Sequence, residues 1–80
     1  MAVITVRYFA AFREQAGCDQ ETLTTAHATA GDLFAELAER HGFVDPTSRC
    51  KVAINDELTT WDAALQDGDQ VLFFPPVAGG

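Results

Sequence analysis

The chain has 80 residues, the length of one domain, and its composition of 48% hydrophobic and 21% charged residues is typical of a folded globular protein. The formal net charge of −7 argues against a nucleic-acid partner, and no apolar run is long enough to cross a bilayer. The N-terminus lacks the basic start and cleavage site of a signal peptide, so we expect a cytoplasmic protein without a membrane partner.

The pattern of residues 2–26 predicts two strands separated by a short helical turn. Residues 2–9, AVITVRYF, alternate so that Ile4, Val6 and Tyr8 share one face, as in a half-buried strand. Residues 10–16 contain good helix formers and stop at Gly17. Residues 21–26, ETLTTA, are rich in threonine and predict a second strand.

The main helix is predicted after residue 28. Thr29 stands three residues before Asp32, a variant of the capping box in which the hydroxyl and the carboxylate satisfy the first free N–H groups. Gly42 is placed to end the helix. Apolar or aromatic side chains recur between them at helical spacing: Leu33, Phe34, Leu37, Ala38 and His41. One apolar stripe of this kind must lie on a sheet.

The second half of the chain predicts strands joined by turns. Residues 43–50 contain Pro46 and read as a loop, 51–55 as a strand, 57–59 as a short strand and 70–74 as the last strand. Trp61 and Leu65 stand at i and i+4, which favours a helical turn with both side chains packed inward.

This order predicts an α+β domain covering residues 1–80, with one mixed sheet wrapped around a single main helix. If the first and last strands pair at the centre of the sheet, the arrangement is the β-grasp, or ubiquitin-like, fold. We expect residues 75–80 to form a flexible tail beyond the last strand.

No candidate catalytic centre emerges from the side chains. A phosphate-binding glycine loop, a Ser/His/Asp set and paired carboxylates in an apolar context are all missing from the sequence. Cys18 and Cys50 form no CxxC pair, and His27 and His41 complete no metal-ligand spacing with them. We expect two free thiols and no metal site; a catalytic cysteine is the alternative.

The distinctive feature is the C-terminal tail. Pro75 and Pro76 fix φ and favour an extended stem, which lowers the entropy lost when a partner captures it. Gly79 and Gly80 have no Cβ atoms and can enter a channel too narrow for side chains. The α-carboxylate of Gly80 is a poor electrophile that adenylation by an ATP-using partner would activate. The alternative is a flexible end with two incidental glycines.

The sequence FFPPVAGG, following LQDGDQVL, resembles the C-terminus of the MoaD family of ubiquitin-like sulfur carriers, the small subunits of molybdopterin synthase. The resemblance extends over essentially the whole chain. RYFAAFREQAG is similar to the family's aromatic first strand and Arg-Glu turn, and VAIND followed by Leu58 is similar to its Val-x-Val-Asn stretch.

The resemblance implies a sulfur-donor subunit of a sulfurtransferase complex, without catalytic side chains or a permanently bound cofactor. A ubiquitin-activating-type adenylyltransferase would use ATP to adenylate Gly80, which is then converted to a thiocarboxylate (1-thioglycine). The tail would enter the active site of the large synthase subunit and donate sulfur to cyclic pyranopterin monophosphate, forming the molybdopterin dithiolene for molybdenum cofactor biosynthesis. The family's complex is a heterotetramer. The inserted residues would be Pro75, Pro76, Val77, Ala78, Gly79 and Gly80.

A docking surface is predicted beside the tail. If Val71 and Phe73 face the helix, Leu72 and Phe74 lie on the opposite face of the sheet with Phe9. Exposed aromatic side chains there would form a partner interface, with Phe74 as its anchor. The alternative for Phe74 is burial under the segment around Trp61.

Other functions are open at this point. One is a different ubiquitin-like carrier, such as the thiamine-type carrier or a small modifier; the Phe-Phe-Pro-Pro stem disfavours the thiamine type. Another is a β-grasp interaction module with an inert tail. The residues after Lys51 include five acids and no base, which serves either solubility or steering toward a basic partner surface.

Overall fold

The structure is a computed structural model that describes residues 1–76. Its elements in chain order are β1 (Ala2–Tyr8), α1 (Ala11–Ala16), β2 (Gln20–Thr25), α2 (Ala30–His41), a 3-10 turn (Thr47–Arg49), β3 (Lys51–Ile54), β4 (Glu57–Thr59) and β5 (Gln70–Phe74). The predicted strands and the main helix are confirmed to within a residue or two. The 3-10 turn lies inside the stretch that was predicted as a loop.

The five strands form one sheet in the order β2-β1-β5-β3-β4. β1 and β5 are parallel neighbours at the centre, while the other three pairs are antiparallel. The first and last strands of the chain therefore lie side by side, and the mixed sheet packs on α2. The predicted β-grasp arrangement is confirmed.

The hydrophobic core lies between the sheet and α2. Ile4 and Val6 of β1 are fully buried and Tyr8 is nearly so, as the alternation predicted. On β5 the buried residues that face this core are Val71 and Phe73. Aromatic side chains make up much of the core, and Phe34 of α2 contacts four other rings: Phe12, Phe43, Trp61 and Phe73.

The predicted start and end of α2 are confirmed, but only the hydroxyl half of the capping box forms, since within residues 1–76 the Asp32 carboxylate accepts no hydrogen bond from a free N–H group. At the start, Thr29 Oγ1 accepts a hydrogen bond from the Asp32 N–H at 3.2 Å. At the end, Gly42 adopts φ 75°, and its N–H donates to the carbonyl of Ala38 at 2.8 Å. A left-handed residue at this position is common in helix C-caps and favours glycine.

The helical turn predicted around Trp61 and Leu65 is wrong. This segment forms a single hydrogen-bonded turn, in which the Ala63 N–H donates to the Thr60 carbonyl at 3.1 Å, and a bridge between Thr29 and Ala64. The Trp61 carbonyl accepts from the Gly31 N–H at 2.7 Å, and the Ala63 carbonyl accepts from the Ala30 N–H at 3.0 Å. The segment thus satisfies free N–H groups at the start of α2, and the Leu65 N–H, which would close a helical turn on the Trp61 carbonyl, donates to the Ala28 carbonyl at 2.9 Å instead.

The predicted inward packing of Trp61 and Leu65 is nevertheless confirmed, since both side chains pack against the core. Gly31 allows the close approach of this segment to α2. A Cβ atom at Gly31 would lie 3.1 Å from the Trp61 carbonyl oxygen, tighter than ordinary contacts.

Candidate functional site

The tail leaves the domain from the central strand β5. Val71 and Phe73 are fully buried on the face of the sheet that packs on α2, so the end of β5 before the tail is held by the core. Pro75 and Pro76 follow β5 without regular secondary structure and are half-buried. The predicted tail residues Val77, Ala78, Gly79 and Gly80 lie outside the described residues.

The face of the sheet that points away from α2 carries an apolar surface next to the start of the tail. Strand register places Leu72 of β5 between Arg7 of β1 and Ala53 of β3. Ala53 is in turn paired with Leu58 of β4. Leu72 and Ala53 are buried but belong to no part of the core cluster, which agrees with their position on the outer face.

An aromatic pair continues this surface toward the tail. The rings of Phe9 and Phe74 stack with centroids 4.9 Å apart and an angle of 15° between their planes. The Arg7 guanidinium lies over the Phe9 ring, 5.7 Å from its centroid. On the other side, Lys51 is the register partner of Phe74. We call the whole set the open-face patch; it comprises Arg7, Phe9, Lys51, Ala53, Leu58, Leu72 and Phe74.

Apart from the open-face patch, a polar cluster joins α2 to β2. His27 Nε2 donates to Glu36 Oε1 at 2.6 Å, and Arg40 Nη2 donates to Glu36 Oε2 at 2.6 Å. Arg40 also reaches Glu21 Oε1 at 3.5 Å, and His41 Nε2 donates to Glu21 Oε2 at 3.1 Å. Each carboxylate is occupied by two basic groups, so this cluster ties the helix to an edge strand and offers no free acid or base.

The two cysteines are free thiols, as predicted. Burial raises the pKa of the Cys50 thiol, and the Asp45 carboxylate raises it further. Desolvation and the neighbouring Glu21 carboxylate likewise raise the pKa of the Cys18 thiol. Because the thiolate is the reactive form, raised pKa values disfavour the alternative of a catalytic cysteine.

Glu21 also influences the buried Tyr8 hydroxyl, which has no hydrogen-bond partner among residues 1–76. Burial raises the pKa of Tyr8, and the Glu21 charge adds to the effect. Tyr8 is therefore a neutral core residue whose ring packs edge-on against His41, 5.7 Å between centroids.

Within residues 1–76, no group of three or more His, Cys, Asp or Glu side chains is arranged to hold a metal ion. Over the same residues, no helix is long and apolar enough to cross a membrane.

Residues 6–80 match the sequence profile of the ThiS family. The chain belongs to the ThiS family.

Curated relatives of this ThiS-family chain include molybdopterin synthase sulfur carrier subunits. The molybdopterin synthase sulfur carrier subunit of Escherichia coli is 35% identical over 81 residues, which cover 98% of this chain and 100% of the relative. The resemblance to MoaD sulfur carriers predicted from the sequence is thus confirmed.

Two solved structures are similar over nearly the full chain. SAMP1 from Haloferax volcanii has a TM-score of 0.79 and 27% identity, covering 99% of this chain and 100% of that one. The complex of subunits 1 and 2 of molybdopterin-converting factor from Helicobacter pylori contains a chain with a TM-score of 0.66 and 28% identity, covering 98% and 99%.

The structure brings together the three residues predicted as an interface, Phe9, Leu72 and Phe74. Their contact with a partner stays a prediction. The three residues differ in how much exposed surface they offer for such a contact. Leu72 is only 8% exposed, so it supports the surface more than it offers area to a partner. The alternative position for Phe74, under the Trp61 segment, is wrong, because the Trp61 ring packs on Phe34 and Phe73 instead.

Leu58 belongs to the patch and was not predicted as part of it. Its side chain is 74% exposed, one of the most exposed large apolar side chains described. The sequence pattern that could have indicated Leu58 is a single leucine between polar residues in a short edge strand. The face of the sheet on which Leu58 lies, however, depends on the register of this strand with β3.

Proposed function

We propose that this ThiS-family chain is the sulfur-carrier subunit of molybdopterin synthase. The observation that carries the proposal is the tail: a buried central strand leads directly into the sequence PPVAGG, beside an exposed apolar patch. Full-length relatives named as sulfur carrier subunits of that enzyme support it.

The chemistry belongs to the carboxylate of Gly80. That carboxylate attacks the α-phosphate of ATP in the active site of a ubiquitin-activating-type adenylyltransferase, and pyrophosphate leaves. A sulfur donor then displaces AMP and forms the thiocarboxylate. The thiocarboxylate sulfur is transferred to cyclic pyranopterin monophosphate, and two such transfers supply the dithiolene of molybdopterin.

The side chains of this protein position the tail and leave catalysis to its partners. The open-face patch docks on the large subunit, and the proline stem directs residues 77–80 into the pterin site of that subunit. Two copies at opposite ends of a large-subunit dimer would form a heterotetramer. The Helicobacter pylori complex of subunits 1 and 2 supports a large-subunit partner.

Intact-mass measurement tests the carrier function. The chain is incubated with the adenylyltransferase, ATP and a sulfur source, and we expect one oxygen atom to be replaced by sulfur at Gly80. The matched control is the same chain without Gly80, which should gain no sulfur. A wild-type chain that keeps its carboxylate under conditions that convert another carrier would overturn the proposal.

A second step identifies which carrier the chain is. The thiocarboxylate form is mixed with the large subunit and the pterin precursor, and formation of the dithiolene product is followed by chromatography. A thiocarboxylate that forms but transfers no sulfur to the precursor would instead indicate another carrier, such as a modifier similar to SAMP1.

A further inference from the structure

In this acidic protein, some of the Arg and Lys side chains form ion pairs with carboxylates and others do not. The sequence has twelve Asp and Glu residues against five Lys and Arg residues. Arg13 lies 3.7 Å from Asp19, and Arg40 contacts two carboxylates. Within residues 1–76, Arg7, Arg49 and Lys51 have no carboxylate within 4.0 Å. These three cations are therefore free to contact a partner.

Two of these three cations belong to the open-face patch. Arg7 stands on β1 and Lys51 on β3, with β5 between them, so they are two strand spacings apart, roughly 10 Å across the sheet. The Phe9 ring holds the Arg7 guanidinium in place, and Lys51 flanks Phe74. The apolar centre of the patch therefore has a cation on each side.

Two acidic groups near β5, Asp69 and Asp56, lie at its other end. Asp69 immediately precedes the strand, and the Asn55 amide Nδ2 donates to its carboxylate at 2.9 Å. Asp56 follows Asn55 in the β3–β4 turn, so it also lies at that end. The end of β5 from which the tail leaves carries Arg7 and Lys51 on the open face, while Asp19 beside Tyr8 and Asp45 near Cys50 are the acids closest to that end.

We propose that Arg7 and Lys51 form ion pairs with two Asp or Glu side chains of the large subunit, which flank an apolar surface that receives Phe9, Phe74 and Leu58. The proposal rests on the proposed function above and adds the charge of the partner surface. Ion pairs at the edge of an interface mainly raise the association rate and fix orientation. Here they would align the patch so that the tail enters the pterin site.

Lys51 is the single lysine of the chain, which permits a direct test. The complex with the large subunit is treated with a carbodiimide, which joins amines to carboxylates in contact, and the joined peptides are identified by mass spectrometry. We expect Lys51 to be joined to an Asp or Glu of the large subunit. The control Lys51→Arg keeps the charge, so it should bind normally and lose that crosslink.

Binding kinetics provide the second test. Arg7→Gln and Lys51→Gln should each lower the association rate constant by roughly threefold at low salt, the effect of an exposed ion pair, and the double variant should lower it by roughly tenfold. The salt dependence should weaken in the same order. Arg13→Gln makes the same change in net charge on α1, outside the patch, and should have little effect.

Different outcomes separate the two proposals. If the unaltered chain binds the large subunit but the variants bind equally fast, or Lys51 is joined only to Gly80 of its own chain, the ion-pair proposal is wrong and the carrier function stands. Faster binding by the variants would indicate a basic partner surface and would also overturn the ion-pair proposal. A chain that neither binds the large subunit nor acquires sulfur would overturn both.

Discussion

Phe74 illustrates how one residue can belong to the sheet without belonging to the core. Its neighbour Phe73 is fully buried against α2, whereas Phe74 is half-buried on the other face, where it stacks on Phe9. Alternation along β5 forces this division. An aromatic ring that is rigid, partly exposed and central in an apolar patch has the properties of an interface anchor.

We predict that Phe74→Ala lowers the affinity for the large subunit by at least about tenfold, as expected for an anchor residue. Folding stability should fall by only about 1 kcal/mol, because the variant loses the ring stack but no core contact. Calorimetric titration with the large subunit and urea denaturation measure the two effects. Val44→Ala removes another exposed apolar side chain, 79% exposed and outside the patch, as a control. Equal affinity in both variants would exclude Phe74 as the anchor.

The sequence identified Phe74 but not Leu58 for a physical reason. Phe74 stands in a five-residue strand whose alternation is readable, next to the two prolines. Leu58 stands in a strand of three residues, all exposed, where a shift of one position would place it on the opposite face. The register comes from the β3–β4 turn, which the composition of the strand does not reveal.

At the scale of elements, that turn combines two unusual residues. Asn55 and Asp56 have φ values of 52° and 70°, the conformation of a two-residue hairpin loop that favours Asn-Gly. Asn55 also fastens the hairpin to β5, since its Nδ2 donates to Asp69 and its Oδ1 accepts from the Gln70 N–H, both at 2.9 Å. Within residues 1–76, the Asp56 side chain makes no hydrogen bond of this kind.

We therefore predict opposite effects for two similar substitutions. Asp56→Gly should stabilise the fold by roughly 0.5–1 kcal/mol, because glycine adopts the positive φ without steric strain. Asn55→Gly should destabilise it by about 1–3 kcal/mol, because a buried Asp69 loses a donor. Urea denaturation at neutral pH compares both with the parent chain. If Asp56→Gly is as destabilising as Asn55→Gly, the conformational explanation of the turn is wrong.

The two helical predictions show how far local sequence signals extend. The signals for α2 act within the helix itself: a Thr29 cap, twelve residues of consistent periodicity and a terminal Gly42. The spacing of Trp61 and Leu65 correctly predicts which side chains pack inward but not the backbone that carries them. That backbone bonds to Ala30 and Gly31, thirty residues away, and such partners are not visible in the local pattern.

At the scale of the whole molecule, the fold separates stability from chemistry. Core packing lies on the α2 side of the sheet and the open-face patch lies on the other side, while the proposed reactive group is the carboxylate of Gly80, six positions after Phe74 in the sequence. The strands, the main helix and three of the seven patch residues, Phe9, Leu72 and Phe74, could be predicted from periodicity. Sulfur chemistry at Gly80 could not, because a glycine carboxylate carries no side-chain signature, and only the resemblance assigns it a reaction.

This separation predicts that one change, Phe34→Ala, lowers the folding stability, and that another, deletion of Gly80, abolishes only the sulfur transfer. Phe34→Ala removes the ring that contacts four other aromatic rings in the core, and it should cost about 3–5 kcal/mol of a folding free energy of about 5–15 kcal/mol. Deletion of Gly80 should leave the urea midpoint and the affinity for the large subunit nearly unchanged while abolishing sulfur transfer. A Phe34→Ala chain that is still folded at low temperature should therefore accept sulfur at Gly80, because we expect the tail to take no part in core packing. If deletion of Gly80 instead lowered the urea midpoint as Phe34→Ala does, the tail would be a structural element and its assignment as a free reactive end would be wrong.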